Sequence, residues 1–216
     1  MREPQNPNDQ LEVIIMDSEL PSIAKDYAEL AVDGIMDDGI LKDIPLVGTV
    51  IGIMKFSNSV NKHFAIKKIY KFLNQLNSIP QELRVKKIDE INNSKKYQSS
   101  VGEMIFEILK KIESDGKPEI IGRLFKAVIE EKIDYITYLR IAHLVKNLFY
   151  YDIVWLKENT TNGVVAEATP DPIFTSGLVD VNFVDSYEGA KNDIITQKSQ
   201  ATLTEIGKVL INVGME

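Results

Sequence analysis

His63 and His143 are the side chains best suited to proton transfer or metal ligation in this sequence. Each lies inside an amphipathic stretch, not on a glycine-rich turn. There is no cysteine, so disulfides, thiolate catalysis and zinc–sulfur sites are excluded. Two histidines supply too few ligands for the usual first-row metal sites, and His143, between Ala142 and Leu144, reads as a core-edge histidine with a satisfied hydrogen bond. Hard cations take carboxylates instead. Asp37, Asp38 and Asp43 cluster between two helical stretches, where cap and linker duty is the stronger reading. Glu130 and Asp134 are four residues apart, but Asp134 stands at a break between helices and reads as a cap. No Gly-x-Ser-x-Gly elbow occurs, and Gly48 and Gly52 lack the Gly-Lys-Ser/Thr ending of a phosphate loop. No enzyme class, cofactor or metal is expected.

The residues with the most to offer are lysines. Lys62, Lys67, Lys68 and Lys71 fall in a stretch, 55–81, that contains no acidic residue. Val60, Phe64, Ile69, Leu73 and Leu76 recur there at helical spacing, leaving the lysines largely off the apolar face. Such a basic face suits an acidic protein partner or an anionic membrane. Just before it, residues 44–54 carry no charge. Asp43 can cap that segment, Pro45 suits its first turn, and Gly48 and Gly52 share a face that admits close helix packing. Spanning a bilayer takes roughly 20 residues, so the segment reads as the buried start of a long central helix running to Leu76. Its insertion into a membrane on activation is the alternative.

Charge is unevenly spread over the 216 residues, whose net charge is −7. Residues 1–54 hold three basic and eleven acidic side chains, net −8; residues 55–149 hold eighteen and eleven, net +7; residues 150–216 hold four and ten, net −6. A nucleic-acid binder presents a basic whole, so nucleic acid is not an expected partner. Either the acidic ends pack near the basic middle, or the middle meets an acidic partner. The polar first ten residues have neither the basic start nor the apolar stretch of a signal peptide, and the expectation is a cytoplasmic protein.

Periodicity predicts helices over about 21–36, 81–91 (Leu83, Ile88 and Ile91 inward), 97–113, 118–131, 135–147 and 150–157. Ser78 is a candidate cap for the second of these, with Pro80 in its first turn. Residues 158–172, with Thr, Asn, Gly and two prolines, read as a linker. Beyond it Val179, Val181 and Phe183 alternate as one face of a strand, a second strand holds Ile194 and Ile195, and a helix runs from Thr204 to about Val213.

Two stretches carry a resemblance. Ser176, Gly177, Leu178 and Val179, followed by the Leu-Thr-x-x-Gly-x-x-Leu phrase from Leu203 to Leu210, resemble the wing and last helix of bacterial winged-helix proteins. The segment is acidic and has no arginine, which points to protein contact and away from phosphate neutralisation. Residues 117–142, built around Ile120, Ile121, Leu124, Phe125, Ile133 and Asp134, resemble TerB-like helical proteins of bacteria. That likeness implies a place in stress or phage-defence systems.

The expected fold is therefore mainly α: a helical bundle around a long central helix, with a small C-terminal α+β winged-helix-like tail. Its expected parts are a flexible segment 1–20, a bundle 21–158, a linker 159–172 and the tail 173–216. The expected function is a cytoplasmic, non-enzymatic interaction protein. Its contact surface would be Lys62, Lys67, Lys68 and Lys71, so that Glu at 67 and 68 abolishes binding and spares the fold. A membrane-associating effector, and then a DNA-binding regulator, are the alternatives.

Overall fold

Ten of the thirteen residues of one helix, Lys117–Ile129, are buried. Its three remaining polar side chains, Glu119, Arg123 and Lys126, follow helical spacing and form one narrow stripe. A helix with so little polar surface must be covered on most sides, and the chain supplies the cover. In the computed structural model, which describes residues 10–22, 59–166, 169–187 and 195–216 (side chains of 59–63 and 183–198 excepted), the helices are α1 Gln10–Met16, α2 Ser59–Asn74, α3 Gln81–Asn92, α4 Val101–Lys111, α5 Lys117–Ile129, α6 Tyr135–Asn147, α7 Tyr150–Glu158, α8 Asp171–Thr175 and α9 Glu205–Val209. A π-helical turn, Leu210–Gly214, follows α9 directly. The structure is mainly helical, with a small antiparallel sheet near its C-terminal end.

Helix α5 packs against α2, α3, α6 and the π turn. Phe125 joins Phe72 of α2 (ring centroids 6.0 Å apart) to Tyr138 of α6 (5.4 Å). Among the described residues α5 is thus the most enclosed helix, and the long central helix expected from 44 to 76 falls in part outside them. The apolar 44–54 segment, with Pro45, Gly48 and Gly52, lies outside the described residues, as do Asp37, Asp38, Asp43, residues 1–9 and most of the helix expected over 21–36.

Caps set the boundaries. Ser100 accepts a hydrogen bond from the Glu103 amide, which starts α4 four residues later than periodicity alone suggests. Asp134 caps α6 as expected, accepting from the Thr137 amide and hydroxyl at 3.0 and 2.7 Å. Ser78 does not cap α3. Pro80 holds that position, and the Ser78 hydroxyl accepts from Lys126 instead.

Helix α3 also turns a different face inward. Ile88 and Ile91 are buried, but Leu83 is 45% exposed, and Arg84 is 1% exposed in its place. The guanidinium donates to the carbonyls of Ile79 and Asp17, both at 2.6 Å, and so ties the 75–79 turn to the end of α1. Gln81 adds a bond to the Met16 carbonyl. Of the acidic N-terminal part, the described α1 lies on α3 and α4, with Glu12 accepting from Asn92 and from the Gly102 amide.

The sheet holds four strands in the order β1–β2–β4–β3: β1 Thr160–Thr161, β2 Val164–Val165, β3 Val179–Tyr187 and β4 Ile195–Leu203. All pairings are antiparallel. The stretch read as a linker thus contains a hairpin whose Asn162 and Gly163, at φ 52° and 81°, make the tight turn. Val165 is buried there, and β2 pairs with β4. On β3 the expected inward face holds at Val179 but not at Val181, which is 43% exposed. One hydrophobic cluster runs from Leu11 through the helices to Leu203 and Leu210.

Arg84→Met should lower stability by about 2–4 kcal/mol in urea unfolding, because two carbonyls lose their partner on burial. Leu83→Lys should cost no more than about 0.5 kcal/mol. Equal effects of the two changes would refute this inward face of α3.

Candidate functional site

The lysines of α2 converge on one loop. Lys67 pairs with the Asp115 carboxylate, Lys68 donates to the Ile112 carbonyl, and Lys71 reaches both the Asp115 carbonyl at 2.8 Å and Glu119 at 3.0 Å. Loop 112–116, which joins α4 to α5, is therefore fastened along its length from α2. The side chains of Lys62 and His63 are outside the described set. The Asp115 carboxyl is held below its ordinary value, chiefly by the hydrogen bond from Lys67, and burial pushes the Lys68 ammonium down.

On its other side the same loop forms one wall of a groove of about 630 Å³. The opposite wall is the end of α6, the link through Leu148 and Phe149, and the start of α7. Three lysines line it, Lys111, Lys117 and Lys146, against one carboxylate, Glu113. Lys117 is only 5% exposed. Its Nζ donates to the Lys146 carbonyl at 3.2 Å, one of the last carbonyls of α6 that have no partner within the helix. Burial lowers the affinity of this ammonium for the proton, and the negative charge of nearby Glu113 partly offsets that. Close by, the Ser114 hydroxyl is buried without a hydrogen-bond partner among the described residues.

The rim is aromatic. Phe149 and Tyr151 are 63% and 66% exposed, with ring centroids 5.4 Å apart, and Tyr150 lies edge-on to Tyr151 at 5.5 Å. Gly116 is what lets the Tyr150 ring lie against the loop, since any Cβ at that position would collide with it. Lys111 also forms an exposed pair with Glu107 at 3.3 Å, a contact of a kind that exchanges readily with solvent or a ligand. Lysines and exposed rings together make a surface that can bind an anion flanked by an apolar group.

A second concavity, about 520 Å³, has Lys87, Glu90 and Glu131 on its wall. Lys87 bridges Glu90 at 2.8 Å and Glu131 at 3.0 Å, and Glu131, at φ 59°, stands at the left-handed end of α5. Tyr97 and Tyr135 stand edge to face on its wall. Glu130 pairs with Lys132 at 2.7 Å and Asp134 is committed to its cap, so Glu130 and Asp134 do not converge on a shared site. Among the described residues no group of three His, Asp or Glu side chains is placed to hold a metal. His143 is exposed and bonded to Asn147 at 2.9 Å.

Spacing on α2 singles out Lys67, Lys68 and Lys71, and the structure gathers these three on the loop. It says nothing of Lys117, Lys146, Phe149 or Tyr151, which form the groove. The one available signal was the run Phe149, Tyr150, Tyr151 at a helix start, three adjacent rings that no single helical face can bury together. No protein-family model, no curated protein and no solved structure matches this chain.

Because the native Asp115 carboxyl is more acidic than in the unfolded chain, its pairing stabilises the fold above about pH 4 and is lost as pH falls through the native value. Lys67→Met should therefore be less stable than wild type at pH 7, and the gap should narrow in denaturant titrations below about pH 4. A gap that stays constant down to pH 2 rules out this pairing as its source.

Proposed function

We propose that this chain is a non-enzymatic interaction protein that recognises an acidic protein segment in the groove between α5 and α7. The observation that carries the reading is a groove lined by Lys111, Lys117 and Lys146 against the single carboxylate Glu113, with two exposed rings at its rim. Aromatic side chains around a desolvated centre are the composition of binding hot spots. Lys111 and Lys146 supply the outer positive field that draws an acidic segment in.

The groove is preferred to the α2 face as contact surface because Lys67, Lys68 and Lys71 spend their charge on loop 112–116. Glu at 67 and 68 would then act on binding through the loop, and at a cost to the fold. A membrane role rests on residues 44–54, and no helix among the described residues is long and apolar enough to cross a membrane. The hairpin of β3 and β4 followed by α9 supports a winged-helix-like shape for the tail, used for protein contact. The assignment to a bacterial stress or phage-defence system rests on the TerB-like stretch, which begins at Lys117 itself.

Fluorescence polarisation with a labelled Glu-rich peptide carrying one Leu, and with its Lys-for-Glu counterpart, tests the reading. Only the acidic peptide should bind, more weakly as salt rises. Lys111→Glu with Lys146→Glu, and separately Phe149→Ala with Tyr151→Ala, should each weaken binding about tenfold or more, with little change in Tm. Equal binding of both peptides, or full binding by the lysine double variant, would sink it.

A further inference from the structure

Besides Phe149 and Tyr151, the large apolar side chains that stand well exposed among the described residues are Val13, Phe64, Leu83, Val164 and Val181. Phe64 and Leu83 lie on helices that carry lysines close by, Lys67 and Lys68 on one and Lys86 and Lys87 on the other. Val164 has no carboxylate on its strand. Val13 adjoins Glu12, whose carboxylate is turned to Asn92 and the Gly102 amide. Val181 differs from all of these. It is 43% exposed and stands on β3, whose nine residues hold two aspartates and no basic side chain. Its neighbour Asp180 is exposed as well. An acidic segment bearing an exposed apolar residue is thus part of this chain.

That segment is already extended. Among the described residues β3 is the outer strand of the sheet, with β4 as its one neighbour, and a long outer strand is a ready template for contact with another chain. Successive side chains of a strand point to opposite faces, so a strand that enters a groove edge-on sends one to each wall. The two walls of the groove are unlike: Lys111 stands on the side of loop 112–116, and Phe149 and Tyr151 on the other. The Asp180 carboxylate accepts from the Val181 amide at 2.9 Å. That bond closes this point of the strand edge to ladder pairing and leaves the second carboxylate oxygen for a lysine, so recognition falls to the side chains.

We infer that the groove of one copy receives β3 of a second copy, with Val181 against Phe149 and Tyr151 and Asp180 against Lys111. This rests on the reading of the groove as the site for an acidic segment and names that segment. The regional charges agree, at +7 over residues 55–149 and −6 over 150–216, so the two surfaces attract between copies. Groove and strand are different surfaces, so the contact is heterologous and each copy offers one of each.

Sedimentation velocity of the full chain over a concentration series tests this. Wild type should self-associate, at least tenfold more weakly in about 500 mM than in about 50 mM salt. The groove variant, Lys111→Glu with Lys146→Glu, and the strand variant, Asp180→Asn with Val181→Thr, should each weaken self-association about tenfold or more. Mixed in equal amounts, the two variants should form a complex of two chains and nothing larger, because one intact groove meets one intact strand and the other two surfaces are blocked. Where the double strand change lowers Tm, Val181→Thr alone replaces it and should weaken association at least threefold. The Glu-rich peptide should dissociate the wild-type assembly. Wild type that stays monomeric at about 0.1 mM in low salt, yet binds that peptide, overturns β3 as the occupant and leaves the acidic-segment reading standing. A monomer that binds no peptide overturns both. Self-association that neither variant weakens, or variants that fail to associate when mixed, overturns the pairing of groove with strand.

Discussion

Three ammonium groups on one helix hold a five-residue loop in place, and the rest of the functional surface depends on that fastening. Loop 112–116 has a glycine, two acidic residues and a serine, and left alone it has little reason to adopt one shape. Lys67, Lys68 and Lys71 give it one by bonding to its first carbonyl, to the Asp115 carboxylate and to the Asp115 carbonyl. The loop then delivers Ser114 to the groove, sets the start of α5, and through Gly116 accepts the Tyr150 ring that begins α7. Each exposed pair of this sort contributes little singly, and a network that shares one loop contributes through geometry as much as energy.

That arrangement places the basic character of the middle region in two roles. On α2 Lys67, Lys68 and Lys71 are structural, spent on main-chain carbonyls and nearby carboxylates. Around the groove they are left facing a concavity, and the deepest of them is paired only with a helix-terminal carbonyl. A helix end with orphan carbonyls is a fitting place to bury an ammonium, because the dipole supplies part of the missing negative charge. Part only: a carbonyl does not neutralise a cation, and the remainder is available to a ligand.

Much of the helical fold was legible locally. Helices α4 to α7 follow from apolar spacing, from the break before Pro118, and from Asp134 as a cap, all of which act within a few residues. What failed did so where a distant partner decides. Leu83 reads as inward and Arg84 as outward on any hydropathy scale, yet Arg84 is buried because two carbonyls, one of them 67 residues away, need its donors. Composition marks 159–172 as a linker, but the two-residue strand at Val164 and Val165 joins the sheet by pairing with β4, which is remote in sequence. Val181 alternates correctly and is still exposed, while Val179, nearer the helices, is buried.

The site was less legible than the fold, for a reason of the same kind. A lysine's role depends on what stands opposite, and type and spacing say only that it is basic. Lys67, Lys68 and Lys71 have spacing that marks a face, and the partner of that face lies 44 to 48 residues on, in the loop. Lys117 has no periodic signature at all, standing as it does at a helix start beside proline. It becomes distinctive only when α6 ends against it and the rings at 149–151 close the far wall. The burial of Lys117 against a helix-terminal carbonyl is therefore a feature that neither composition nor periodicity can display, and it is one on which the proposed recognition turns.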